Sequence, residues 1–150
     1  MLTLCIHISD MSRKKSARVN QWKLDNEAFL AEKAKKEGVT ILDNRVIIQT
    51  LEKGHGSIHP SPGSLVYAHY TGRLIDGKVF DSTEGENLPA LFKVRDLIMG
   101  WQIALGRMYE GDKYRIWIPA KWAYGSLRQP DIPAWSTLEF DLELVKIAQV

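Results

Sequence analysis

From Val39 onward the apolar positions recur with a period of two, the spacing of strands that bury one face. Val66, Ala68, Tyr70 and Leu74 alternate with Tyr67, His69, Thr71 and Arg73. Tyr114, Ile116 and Ile118 alternate with Lys113, Arg115 and Trp117, and Leu138, Phe140, Leu142 and Leu144 alternate with Glu139, Asp141 and Glu143. A Val/Ile-rich run from Arg45 to Glu52 reads as a further strand ending at the turn Gly54-His55-Gly56. Asp76-Gly77 marks a hairpin, with Lys78 to Asp81 continuing on its far side. Such alternation predicts an antiparallel sheet with one buried and one wet face.

Within this region only Asp96 to Gly106 carries helical spacing. Leu97, Trp101 and Leu105 share one face, Asp96 is placed to cap the start and Gly106 to end the helix. A short amphipathic helix among antiparallel strands predicts an α+β fold in which the helix covers the apolar face.

Before Val39 the period is that of a helix. Val19, Trp22, Phe29 and Leu30 form a narrow stripe, with Asn26 interrupting it. Asp25 and Glu27 precede Lys33, Lys35 and Lys36, and Gly38 follows, an order that complements the helix dipole. The spacing predicts a helix from about Asn20 to Glu37 that packs on the main domain or on a second copy. Ser12 to Lys36 holds eight basic residues against three acidic ones, read as a solvated face ahead of a contact for RNA or an acidic partner. Residues 1–11 carry an apolar run from Leu2 to Ile8 with no basic residue before it and no small-residue cleavage site after it. They are expected to be a disordered leader, with a true start at Met11 or a processed export signal as alternatives. The expected division is 1–38, leader plus basic amphipathic helical extension, and 39–150, one domain.

Composition narrows the class. In 150 residues, 45% hydrophobic and 25% charged with a net charge of +2, nothing points to disorder or to a nucleic-acid binder. No stretch approaches the roughly 20 apolar residues of a membrane span. The lone Cys5 excludes an internal disulfide and favours a cytoplasmic setting. His55 and His59 lie in a Gly/Pro turn region with no Glu between them, a poor metal site. There is no phosphate-binding Gly-rich loop and no Gly-x-Ser-x-Gly elbow. Instead aromatics cluster beside glycines: Tyr70 near Gly72, Trp101 after Gly100, Tyr124 before Gly125, with Phe80 and Phe140 on faces that converge on the helix. A pocket walled by aromatics suits a small apolar group.

Four blocks, in order, carry a resemblance. They are Ala68-His69-Tyr70-Thr71-Gly72-Arg73-Leu74-Ile75-Asp76-Gly77-Lys78-Val79-Phe80-Asp81-Ser82; Leu97-Ile98-Met99-Gly100-Trp101; Met108 to Asp112 through Ile118-Pro119 to Ala123-Tyr124-Gly125; and Ile132-Pro133 with Thr137 to Leu144. From Asp43 to Ile147 the chain resembles the FKBP-type peptidyl-prolyl cis/trans isomerases. The resemblance implies a half-open antiparallel sheet of five or six strands wrapped around one short helix, with the N-terminal helix appended. It implies Trp101 as the pocket floor and Tyr70, Phe80, Phe92, Leu97, Ile98 and Phe140 as walls. Tyr124 and the Ile98 N–H would bond substrate carbonyls, Asp81 would face the reacting bond, and Ile132 would touch substrate from an overhanging loop. It further implies proline-containing polypeptides as substrates and macrolide inhibitors as ligands, with neither cofactor nor metal. Leu97 replaces the family's usual Val, and the loop Leu127-Arg128-Gln129-Pro130-Asp131 is shorter and more charged than is common there. A binding module using the same pocket, or the basic helix, is the alternative to catalysis; a monomer and a dimer through the N-terminal helix are both compatible.

Overall fold

A computed structural model describes the backbone of residues 2–149 and the side chains of residues 11–148. The elements are α1 (Leu2–Ala34), β1 (Thr40–Leu42), β2 (Val46–Glu52), β3 (Leu65–Arg73), β4 (Val79–Ser82), β5 (Ala90–Lys93), α2 (Met99–Leu105), β6 (Lys113–Ile118) and β7 (Leu138–Gln149). Single 3-10 turns precede α2 at Val94–Asp96 and follow β6 at Ala120–Trp122. The sheet is antiparallel throughout, in the order β1-β2-β6-β7-β3-β4, with β5 also on β3. It has seven strands where five or six were expected. The additional β1 and β5 are three and four residues long, too short to display a period.

β3 organises the half of the sheet that carries the pocket. Its full length pairs with β7, while its other edge is shared: β5 lies opposite Leu65–Ala68 and β4 opposite Thr71–Arg73. The sheet therefore splays at His69 and Tyr70, and Thr83 bridges the gap. The Thr83 N–H donates to the Tyr70 carbonyl at 2.8 Å, and the Tyr70 N–H donates to Thr83 Oγ1 at 2.9 Å.

The inner face is covered by α2, whose Trp101, Ala104 and Leu105 join Ala68, Ile116, Phe140 and Leu142 in one buried cluster. The capping expected of Asp96 does not occur. Asp96 ends the 3-10 turn, Leu97 and Ile98 are extended, and Ile98 is the N-cap without a side-chain bond. Gln102 instead ties down the approach, its Nε2 donating to the Leu97 carbonyl at 2.7 Å. Gly106 does close the helix, with ordinary right-handed φ of −64°.

The helix expected from Asn20 begins much earlier, since α1 runs from Leu2, and it ends at Ala34. No Gly or Pro occurs before Gly38, so nothing in the leader interrupts a helical backbone. The side chains of residues 1–10, on which most of the expected disordered leader falls, lie outside those described. Residues 11–21 are exposed all round; from Trp22 the helix rests on the domain. It covers one end of the outer sheet face, where Lys33 and Lys36 stand 5.9 and 5.5 Å from the centroid of Trp117. That cover explains why Trp117 and Ile47, paired across β6 and β2, are buried although they project to the face read as wet.

Elsewhere that face is ionic. Asp141 accepts two bonds from Arg115, at 2.7 and 3.1 Å, and faces Arg73 at 3.4 Å. Burial alone would raise the Asp141 carboxyl, but the Arg115 hydrogen bonds and both guanidinium charges outweigh it and hold the group below its ordinary value.

Two outcomes follow. A Cβ at Gly100 would overlap the Ile118 side chain, so Gly100→Ala should lift α2 from the sheet and cost about 1–3 kcal/mol in urea unfolding. Because the Asp141 pKa is depressed on folding, its contribution is complete above the unfolded value of about 3.9 and is lost as pH falls through the folded value. Asp141→Asn should accordingly be less stable than the parent at pH 7 and lose less stability between pH 5 and pH 2 in the same assay.

Candidate active site

Between α2 and the splayed edge lies a pocket of about 250 Å³ lined by Tyr70, Phe80, Asp81, Phe92, Asp96, Leu97, Ile98, Trp101, Tyr124 and Phe140. Trp101, from the first turn of α2, forms the floor and is 4% exposed. Three rings meet it edge to face: Tyr70 at 5.0 Å, Phe140 at 5.3 Å and Phe92 at 5.5 Å between centroids. Phe80 extends the wall by meeting Phe140 at 5.5 Å and 84°. Such arrangements satisfy the ring quadrupoles and each adds about 0.5–1.5 kcal/mol beyond area burial.

Each ring is delivered by a different element. Tyr70 comes from the centre of β3, Phe80 from β4, Phe92 from β5 and Phe140 from β7. Phe80 and Phe140 close together because β3 has no side chain between them: a Cβ at Gly72 would stand 2.6 Å from Phe80 Cζ and 2.7 Å from Phe140 Cε1. The Trp101 indole N–H is buried without an acceptor among the described residues. An unpaired buried donor costs about 1–3 kcal/mol.

The polar groups stand at the rim. The Tyr70 hydroxyl donates to Asp81 Oδ2 at 2.6 Å. Burial first, and then the hydrogen bond and charge of Asp81, push the Tyr70 phenol well above its usual value, so it remains a donor throughout the physiological range. Tyr124 is 36% exposed at the mouth, at the end of the turn after β6. The Ile98 carbonyl accepts from the Trp101 and Gln102 N–H groups, whereas its own N–H has no acceptor among the described residues.

Nine of the ten residues expected at the site thus line one pocket. The tenth, Ile132, does not: it is 6% exposed, belongs to the core cluster and bridges to Gln129. Asp96 lines the pocket although its sequence context reads as a helix cap. Only the extended backbone at Leu97 and Ile98, invisible in the residue pattern, distinguishes the two roles.

A larger groove of about 420 Å³ lies on the outer face, between His69, Arg73, Glu84, Lys113, Asp141 and Glu143. It mixes charges of both signs, and Arg73 and Asp141 are already paired, so the aromatic pocket is the better candidate for ligand binding. His59 bonds the Met108 carbonyl at 3.0 Å and stacks on Tyr109. Among the described residues no group of three or more His, Cys, Asp or Glu is arranged to hold a metal ion.

The model of a family described as FKBP-type peptidyl-prolyl cis-trans isomerase matches residues 56–145. The chain belongs to that family. Among its FKBP-type relatives, the FKBP-type 22 kDa peptidyl-prolyl cis-trans isomerase of Escherichia coli (strain K12) is 42% identical over 120 residues, which are 79% of this chain and 58% of that protein. FK506-binding protein 1 of Saccharomyces cerevisiae is 37% identical over 110 residues, 71% of this chain and 96% of that one. The crystal structure of FkpA from Escherichia coli superposes with a TM-score of 0.83 at 32% identity, covering 98% of this chain and 70% of that chain. The fold is that of the FKBP family, and the chain spans less than two thirds of the length of the 22 kDa relative.

Alkaline titration followed at the phenolate absorbance should show Tyr70 ionising later than the ordinary tyrosine value of about 10. Asp81→Asn, which removes the neighbouring charge but not the burial, should bring that ionisation back part of the way.

Proposed function

We propose that the chain is a peptidyl-prolyl cis/trans isomerase acting on Xaa-Pro bonds of other polypeptides, with its isomerase domain at 39–150 and residues 1–38 as an appended extension. The observation that carries this reading is the pocket itself: an aromatic-walled space of about 250 Å³, floored by Trp101 and with Tyr124, Asp81 and the Ile98 N–H at its rim.

The chemistry needs no nucleophile. Rotation about an Xaa-Pro bond must break amide resonance, a barrier of about 18–20 kcal/mol. A pocket that fits the twisted proline better than the planar one lowers that barrier, and each 1.36 kcal/mol or so of preference is tenfold in rate. Trp101 receives the proline ring from below, and Phe80, Tyr70 and Phe140 enclose it. Phe92 and Leu97 complete the apolar wall. The free Ile98 N–H and the Tyr124 hydroxyl hold the flanking carbonyls, which keeps the chain ends fixed while the bond turns. Asp81, fixed by Tyr70, presents its second oxygen toward the reacting amide. Ile132 supports the overhanging loop and contacts substrate only if that loop shifts.

Macrolides that mimic a prolyl group are expected ligands of the same pocket. The protein acts as a monomer or as a dimer through α1, whose residues 11–21 are exposed. No helix among the described residues is long and apolar enough to cross a membrane. A cytoplasmic setting is the reading that the single cysteine favours, with an exported form as the alternative, and cell fractionation distinguishes the two.

The cis-to-trans rate of short peptides with Leu or Phe before proline should rise on adding protein. Phe80→Ala and Asp81→Ala should each lower kcat/KM about tenfold or more, the cost of losing roughly 1.4 kcal/mol of transition-state preference. A folded protein that accelerates no Xaa-Pro peptide would refute the isomerase reading and leave a partner-binding module with the same pocket.

A further inference from the structure

Three consecutive residues at the end of the pocket loop are each held by α1. Lys23 Nζ stands 4.4 Å from the centroid of the Trp135 ring. Trp22 Nε1 donates to Ser136 Oγ at 3.0 Å. The Thr137 N–H donates to Asn26 Oδ1 at 2.7 Å, and Asn26 Nδ2 donates to the Trp22 carbonyl at 2.7 Å. Asn26, Ser136 and Thr137 are at most 3% exposed, and the Thr137–Asn26 bond is made out of water, where a missing partner is most costly. This is the polar residue that interrupts the apolar stripe of α1.

The held segment leads directly to the pocket. The Trp135 N–H donates to the Gly125 carbonyl at 2.8 Å, and the Gly125 N–H donates to the Ala120 carbonyl at 2.8 Å. Gly125 is the neighbour of Tyr124. Ser136 Oγ in turn donates to the Pro133 carbonyl at 2.7 Å. Trp135 has φ of +65°, a left-handed conformation that a tryptophan keeps only where its surroundings fix it. Beside it lies an open crevice of about 180 Å³, lined by Asn26, Leu30, Pro119 and Trp135 among others.

We propose that Asn26, with Trp22, is a positioning residue for the pocket: α1 staples residues 135–137, and through Gly125 that staple sets where Tyr124 stands. The helix outside the isomerase domain is thereby part of the substrate-binding apparatus. This inference rests on the isomerase reading for its consequence on substrate, though not for the staple itself.

The full chain and its Asn26→Ala and Ser136→Ala variants test it, with Gln21→Ala on the exposed side of the helix as control. Two readouts are needed: KM and kcat for a Leu-Pro peptide, and amide hydrogen exchange. In Asn26→Ala, KM should rise about three- to tenfold with kcat within about twofold. The Gly125, Trp135 and Thr137 amides should exchange about tenfold faster, with the β3–β7 amides unchanged. Ser136→Ala should move both readouts the same way by a smaller factor, and Gln21→Ala should move neither. Unchanged loop exchange, an unchanged KM, or loop and sheet amides that accelerate together would each overturn the proposal, the last by making Asn26 a residue of general stability. If the parent protein accelerates no peptide, the isomerase reading fails, and the staple stands or falls on the exchange data alone.

Discussion

The depth to which α2 settles on the sheet governs the rest of this structure. Gly100 lies against Ile118 with no room for a Cβ, and this close approach brings the next residue, Trp101, under the splayed edge of β3. A helix held further out would still cover the core, but its tryptophan would no longer meet Tyr70, Phe92 and Phe140 edge to face. The sheet makes the complementary concession at Gly72, where the missing side chain allows Phe80 and Phe140 to touch. Two absent methyl groups thus shape a space that aromatic rings then line.

That space is walled by apolar rings, and apart from the Trp101 indole N–H its polar groups stand at the lip. Dry walls suit a reaction in which no bond is broken and no proton moves. What the rim must supply is orientation, and the groups there are fixed by short bonds: Tyr70 to Asp81, and Gln102 to the Leu97 carbonyl beside the Ile98 N–H. Thr83 performs the same service for the backbone of Tyr70 where β4 and β5 part. The pocket is therefore preformed, and little ordering remains to oppose a substrate that enters it.

Much of this was legible in the residues. The long strands show because they bury one face: β3 alternates along its length, β6 from Lys113 to Ile116, and β7 from Leu138 to Leu144, beyond which a register shift breaks the period. β1 and β5 escape because three or four residues cannot establish a period. Trp117 misleads for a different reason: its outward position is covered by α1, a tertiary fact that no strand pattern contains. Asp96 looks like a cap because aspartate before an apolar helix usually is one. Here the chain spends Leu97 and Ile98 in extended form first, so the helix starts too late for it. The pocket residues were legible chiefly through the family resemblance; from the residues alone came only the clustering of aromatics near glycine. Ile132 is the one expected site residue that the fold buries away from the pocket, in the core cluster and bridged to Gln129.

The outer boundaries of the sheet carry one more consequence. Its free edges are its shortest members, three residues in β1 and four each in β4 and β5, so neither side offers a long row of unpaired N–H and carbonyl groups. Extended chains add readily to long, flat edges, which is how sheets template aggregation. An isomerase acting on extended Xaa-Pro segments, as proposed above, would meet that hazard at every encounter. With such stubby margins, an extended segment gains little by zippering onto the sheet, and the aromatic pocket is left as the more rewarding place for it to bind and leave.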